Sequence, residues 1–321
     1  MLIHKKDYIV YYITNLTISH NVDNISRTKA YQNFFMDHPE IKWALVASIV
    51  SRNAGWNMTD LSLPQFKGLL GRKERNRLFM TYERANWLIF SDAYPQLLLY
   101  YLSKKYNQPL FHLLPEFHVS SFMVNEWFHF WKFEDKERLL TSLIINEQNL
   151  IQAPVIDQSF FKSQVFGSIP YKLQNFLYMN AVLLPDRKGN LHGTFVHGFT
   201  NVDKRIEVGR KIAAMLQRQD IYEATLDFIV SIEPTGSRME YESFLKWNLP
   251  SSSILRTLYP IIDHQDIIRK DWLKRGDIKT KWYKKAINPG KTEIGRSFYN
   301  KRRLLFAYYY LKKRFKRAQV T

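Results

Sequence analysis

Residues 24–63 read NISRTKAYQNFFMDHPEIKWALVASIVSRNAGWNMTDLSL, and the apolar spacing within them decides the fold class. Pro39 follows His38, and proline lacks an N–H that the first turn of a helix does not use, so the spacing predicts a helix over about 39–53. Glu40 then falls in its first turn, and Gly55 reads as its stop. Ile41, Leu45 and Ile49 form one stripe while Trp43, Ala47 and Val50 cover the other side, so this helix is apolar nearly all round. A helix of that kind is buried at the centre of a protein. Upstream, Asp23, Asn24 or Ser26 caps a helix carrying Ala30, Tyr31, Phe34 and Phe35 that ends before Pro39.

A polar run leaves the central helix: Arg52, Asn53, Asn57, Thr59 and Asp60, set among Trp56 and Met58. With Glu83, Arg84, Asn86 and Asp92 from the following helices it makes a candidate pocket. Arg52 would hold an anionic group there, and Asp60 or Glu83 would act as general base once burial raised its pKa. The competing reading, a hydrogen-bonded network fixing helix ends to one another, is favoured because the spacing carries no reaction-specific pattern. Asp92 is expected to be a helix cap.

HPEIKWALVASIVSRNAGWNMTDL, followed by NWLIFSDAYPQLLLYY from Asn86, resembles the YppC-like family of Bacillus and related Firmicutes, a family defined by a domain of unknown function. The resemblance runs from about Asn24 to Arg275. It implies a source of that kind and a cytoplasmic setting, but no reaction, so no catalytic residue is carried over from it.

Composition bounds the rest. The chain has 321 residues, 45% of them hydrophobic and 15% aromatic, enough to bury a sizeable core and far from the aromatic-poor profile of a disordered chain. It has no cysteine, which removes disulfides, thiolate metal sites and cysteine nucleophiles. No apolar run reaches the roughly 18 residues that span a bilayer. The opening MLIHKKDYIVYYITNL carries Asp7 and no small-residue cleavage site, so an amphipathic helix over about 3–19 is expected rather than a signal peptide.

Along the chain, Arg72 to Phe90 reads as one helix, and Ser91 and Asp92 cap the next, with Pro95 in its first turn. A further helix is expected at about 134–150, then a hairpin near 182–199 around Asp186, Arg187, Lys188 and Gly189, then helices from Asp203 and over Tyr222 to Ile232. The fold class is therefore mainly α: a multi-helix globular body over 1–268 with one small β-hairpin, and a basic helical extension over 269–321.

Charge separates those two parts. Residues 269–321 hold 18 Lys and Arg against 3 acidic residues, a net of +15, while residues 1–268 carry only +3 of the total +18. From about Ser297 a helix is expected in which Leu304, Tyr308, Leu311 and Phe315 recur at steps of four, three and four. Arg302, Arg303, Lys312, Lys313, Arg314, Lys316 and Arg317 are its candidate polyanion-binding residues. Cations interleaved with aromatics suit a nucleic-acid backbone and its bases, and the same helix suits an anionic membrane surface. The bland reading docks the apolar stripe on the body and leaves the charges solvated.

Other motifs are weaker. Gly236, Ser237 and Arg238 at a helix start offer N–H groups to a phosphate, but Ser237 to Glu240 reads more simply as a capping box. His192 and His197, five apart, fall on opposite faces of a strand, and His112, His118 and His129 sit among bulky aromatics, so no metal site is expected. No cofactor motif is present. The sequence favours a non-enzymatic cytoplasmic protein that binds a polyanion through its tail, nucleic acid ahead of membrane. The rival is an enzyme or small-molecule binder using the pocket around Arg52, Asn57, Asp60 and Glu83.

Overall fold

Helix α1 covers Leu2–His20 and α2 covers Asn24–Asp37, started by Asp23, whose side chain accepts the Ser26 N–H at 2.8 Å. The computed structural model describes residues 2–166, 180–245, 249–265, 268–275, 277–283 and 287–318, with the side chains of 2–5, 274–275 and 316–318 excepted. The chain then turns through Pro39 and Glu40, and α3 runs over Lys42–Asp60. Pro39 thus sits in the turn rather than in the first turn of the helix. Glu40 is engaged by the next long helix, accepting from Tyr100 Oη at 2.7 Å and Lys104 Nζ at 2.8 Å.

As its all-round apolar surface requires, α3 is buried along almost its whole length, from Trp43 to Asp60. Gly55 lies inside it and does not stop it. A Cβ there would come within 3.2 Å of Gly236 Cα, so this glycine lets a later loop cross the helix backbone to backbone.

After a short α4 (Pro64–Leu69), one helix, α5, runs over Arg72–Tyr106 and ends at Asn107 in the left-handed conformation. The expected break at Ser91 and Asp92 does not occur, and Asp92 is a buried interior residue rather than a cap. Pro95 is tolerated because the carbonyl it cannot serve finds another donor. The i−4 carbonyl of Ser91 accepts from Arg269 Nη2 at 3.3 Å, and the same nitrogen binds Phe117 O at 2.8 Å.

A 3-10 segment (Phe111–Phe117) leads into α6 (Ser121–Phe133) and α7 (Lys136–Leu150). The hairpin pairs β1 (Ala181–Pro185) with β2 (Leu191–Phe195), antiparallel, Ala181 opposite Phe195. Its turn is built by Asp186, which accepts the N–H groups of Lys188 and Asn190 at 2.9 and 2.7 Å, with Gly189 at φ +87°. Helices α8 (Val202–Met215), α9 (Gln219–Ser231) and α10 (Gly295–Ala318) complete the longer elements. The fold is mainly α with one two-stranded hairpin among the described residues, and α3 touches α2, α5, α7, α8 and β1. From the last part of the chain, Trp282, Ile294, Phe298 and Tyr299 join the main core.

Candidate functional site

The polar set around the end of α3 divides into two structures. Its charged members are each engaged by residues outside the set, most of them far away in the sequence. Arg52 is buried, with Nε 2.5 Å from Glu240 Oε2 and Nη2 donating to Ile232 O at 2.6 Å. Glu240 also accepts the N–H groups of Thr235 and Gly236, so the N–H groups that a phosphate would use at this turn are occupied. A reciprocal capping box with Ser237 does not form, since the Ser237 N–H goes to Thr235 Oγ1.

Asp60 takes Arg238 Nε at 2.8 Å and Arg302 Nη1 at 2.7 Å, all three side chains buried. Arg238 further binds Asn57 Oδ1 and Tyr241 Oη, at 2.8 and 2.9 Å. Glu83 meets Arg27 through two contacts, at 2.5 and 3.0 Å, and His264 Nε2 at 3.2 Å. Arg84 lies over the Trp87 ring, 4.7 Å from its centroid, and reaches Gln265 O at 3.3 Å.

These partners reverse the expectation of a raised pKa. Burial pushes the Asp60 carboxyl up, but Arg238 and Arg302 outweigh it and hold the group below the usual carboxylate range. Glu83 behaves the same way: burial raises it, and Arg27 with His264 brings it lower than an ordinary glutamate. A carboxylate so held is a poor proton acceptor, so neither is a tuned general base. Within this set the carboxyl that burial does push up, to about 6, is Asp92, which accepts from Gln96 Nε2 at 2.7 Å and Asn146 Nδ2 at 2.6 Å within the core.

The uncharged members are brought together elsewhere. Asn53, Asn57 and Asn86 line a cavity of about 150 Å³ between α3, α5 and the hairpin, without Arg52, Asp60, Glu83 or Arg84. Asn53 is itself used up: its Nδ2 donates to Ile49 O and Leu183 O, both at 2.9 Å, and its Oδ1 accepts the Leu183 N–H at 2.8 Å. The amide thereby pairs with β1 as a neighbouring strand would. The far walls, including Gln148, Asn180 and Phe199, come from segments that no spacing rule links to α3. An open groove of about 760 Å³ along α7 and α8 mixes Asp135 and Glu137 with Arg138 and Arg210 and so has no single sign of charge.

The basic helix is split along its axis. Phe298, Tyr299, Arg302, Leu305 and Phe306 are buried against the body, and Tyr309 packs on Gly68 of α4. Leu304, Tyr308, Leu311 and Phe315 point the other way and are 55–69% exposed. The stripe that the bland reading docks on the body is therefore the face turned to solvent. Arg302, expected among the polyanion-binding residues, is removed from them by its burial against Asp60. Arg303, Lys312, Lys313 and Arg314 are exposed, while the side chains of Lys316 and Arg317 lie outside the described residues. Among the described residues no helix is long and apolar enough to cross a membrane, and no group of three His, Asp or Glu could hold a metal ion. His192 instead has its Nδ1 3.1 Å from Thr292 Oγ1.

The family described as "Protein of unknown function (DUF2515)" matches residues 19–298. The "Uncharacterized protein YppC" of Bacillus subtilis (strain 168) is 44% identical over 288 residues, which cover 89% of this chain and 90% of that protein. No solved structure matches.

Proposed function

The chain belongs to the family of proteins of unknown function DUF2515, and from that premise we propose that it binds an anionic membrane surface through the outer face of α10. The observation that carries this reading is the exposed stripe Leu304, Tyr308, Leu311 and Phe315, lying opposite the face that docks on the body. At 1.5 Å per residue the stripe is about 17 Å long. Lys312 and Arg314 lie beside it.

The charge sign and the apolar face suit different parts of one surface. Anionic headgroups attract the cations at about 1 kcal/mol per Lys or Arg, and the stripe enters the headgroup boundary. Nucleic acid would use the cations and stack on Tyr308 or Phe315, but would leave Leu304 and Leu311 in water. That difference favours lipid. A cytoplasmic setting, and a division of labour between the body and the last 53 residues, belong to the same reading, as does a non-enzymatic role. The stripe itself lies beyond residue 298, where the family match ends, so the reading is one for this chain.

The test is co-sedimentation of the full chain with vesicles of phosphatidylcholine alone or mixed with phosphatidylserine, beside binding to a short DNA duplex and a single-stranded RNA. The expected result is salt-sensitive binding to the anionic vesicles only, lost in Leu304→Asp with Leu311→Asp. Tight binding to DNA or RNA that this double variant leaves unchanged would overturn it in favour of nucleic acid. Equal binding to neutral vesicles would overturn the electrostatic part.

A further inference from the structure

We infer that the cavity between α3, α5 and the hairpin is a binding site for a neutral, mostly apolar small molecule bearing one amide or carbonyl group. Its volume is about 150 Å³, and none of its described wall residues is charged, in a chain of net charge +18. Packed interiors leave few voids of that size, and a cavity of this order admits a benzene-sized guest. An ionic guest would lose its hydration, and no described wall residue offers a counter-charge to replace it.

Two amides define the polar end. Asn57 Oδ1 accepts from Arg238 Nη2 at 2.8 Å, and because a guanidinium only donates, the orientation of this amide is forced and Nδ2 is left over. Asn86 Nδ2 donates to Tyr82 O at 2.8 Å, a group that only accepts, so there the oxygen is left over. Neither remaining atom has a hydrogen-bond partner among the described residues. The cavity thus offers one donor from α3 and one acceptor from α5, beside apolar walls that include Leu78, Ile89, Val182 and Phe199. Asn57, Asn86 and Ile89 are only half-buried.

Benzamide matches this pattern: a ring for the walls, a carbonyl for Asn57 and an N–H for Asn86. Toluene keeps the ring alone, and benzoate adds a charge. Each is titrated into the full chain, followed by calorimetry and by NMR of the ¹⁵N-labelled asparagine side chains. Benzamide is expected to bind saturably with shifts at the Asn57 and Asn86 amides, toluene about tenfold more weakly, and benzoate most weakly. Asn86→Leu should reduce benzamide about tenfold and spare toluene, and Ala54→Leu should fill the cavity and remove both. If Ala54→Leu does not fold, the wild-type ranking and Asn86→Leu decide the matter. No saturable benzamide binding, benzoate binding as tightly as benzamide, or folded Ala54→Leu binding like wild type would each overturn the inference. None of these variants touches α10, so the outcome is independent of the lipid reading.

Discussion

Arg302 and Arg303 are adjacent in sequence and opposite in circumstance. Arg302 is 3% exposed with its guanidinium on Asp60, while Arg303 is on the exposed side of the same helix, followed by Lys312, Lys313 and Arg314. The two faces of α10 carry the same residue types, and only the company differs. One face sets a cation on the body, where Asp60 already holds Arg238; the other turns cations and apolar side chains outward together. A count of Lys and Arg does not tell a docking face from a binding face, because an arginine can serve either once a carboxylate is within reach.

The sharpest way to break this contrast is Asp60→Ala. It leaves two buried guanidiniums without their carboxylate and should cost about 3–5 kcal/mol in urea unfolding. A loss below about 1 kcal/mol would mean that α10 is not held by this clamp.

A second test asks whether partners, rather than burial, keep a carboxylate ionised. Asp60 and Glu83, held low, contribute stability that is present above the ordinary carboxylate pKa and is lost as pH falls through their folded values. Asp92 has the opposite sign. Burial pushes it up to about 6, so the folded state holds its proton more tightly than the unfolded state, whose value is near 3.8. Its ionisation therefore removes stability as pH rises from about 4 to about 6. Asp92→Asn should gain roughly 2–3 kcal/mol relative to the parent between pH 4 and pH 7, measured by urea unfolding across pH.

Arg302→Met should cost about 1–3 kcal/mol and speed amide exchange in α10, since Asp60 keeps Arg238 but loses one partner. Replacing Lys312, Lys313 and Arg314 together by alanine should move stability by less than about 0.5 kcal/mol. The same triple variant should weaken anionic-vesicle binding by about a hundredfold, at about 1 kcal/mol per cation. A stability loss like that of Arg302→Met would show that the outer end is also docked.

The hairpin near 182–199 was legible because Asp186 and Gly189 are turn residues flanked by apolar runs, and the central helix because an all-round apolar surface has one place to go. The end of that helix is not legible from its own residues. Gly55 looks like a stop, yet what it answers is the backbone of Gly236, about 180 residues away. Pro95 and Asp92 likewise look like a helix start, but Arg269 supplies the donor that lets α5 continue. Asn53 and Asn57, four apart on one helix, share a face by spacing alone, but Asn86 joins them from α5, and Glu240, Arg238 and Arg27 take up the charged residues from segments that no spacing links.

By itself the sequence determined that the chain is mainly helical, that one of its helices is buried, and that positive charge gathers toward the last helix. These follow from local periodicity and composition, which a chain carries wherever it is read. Only the tertiary structure decided which face of α10 meets the body, which carboxylates are held ionised by arginines, and which asparagines line the cavity. Each of those depends on the distance between groups far apart in sequence, and Coulomb energy, hydrogen bonding and packing all act through distance in space.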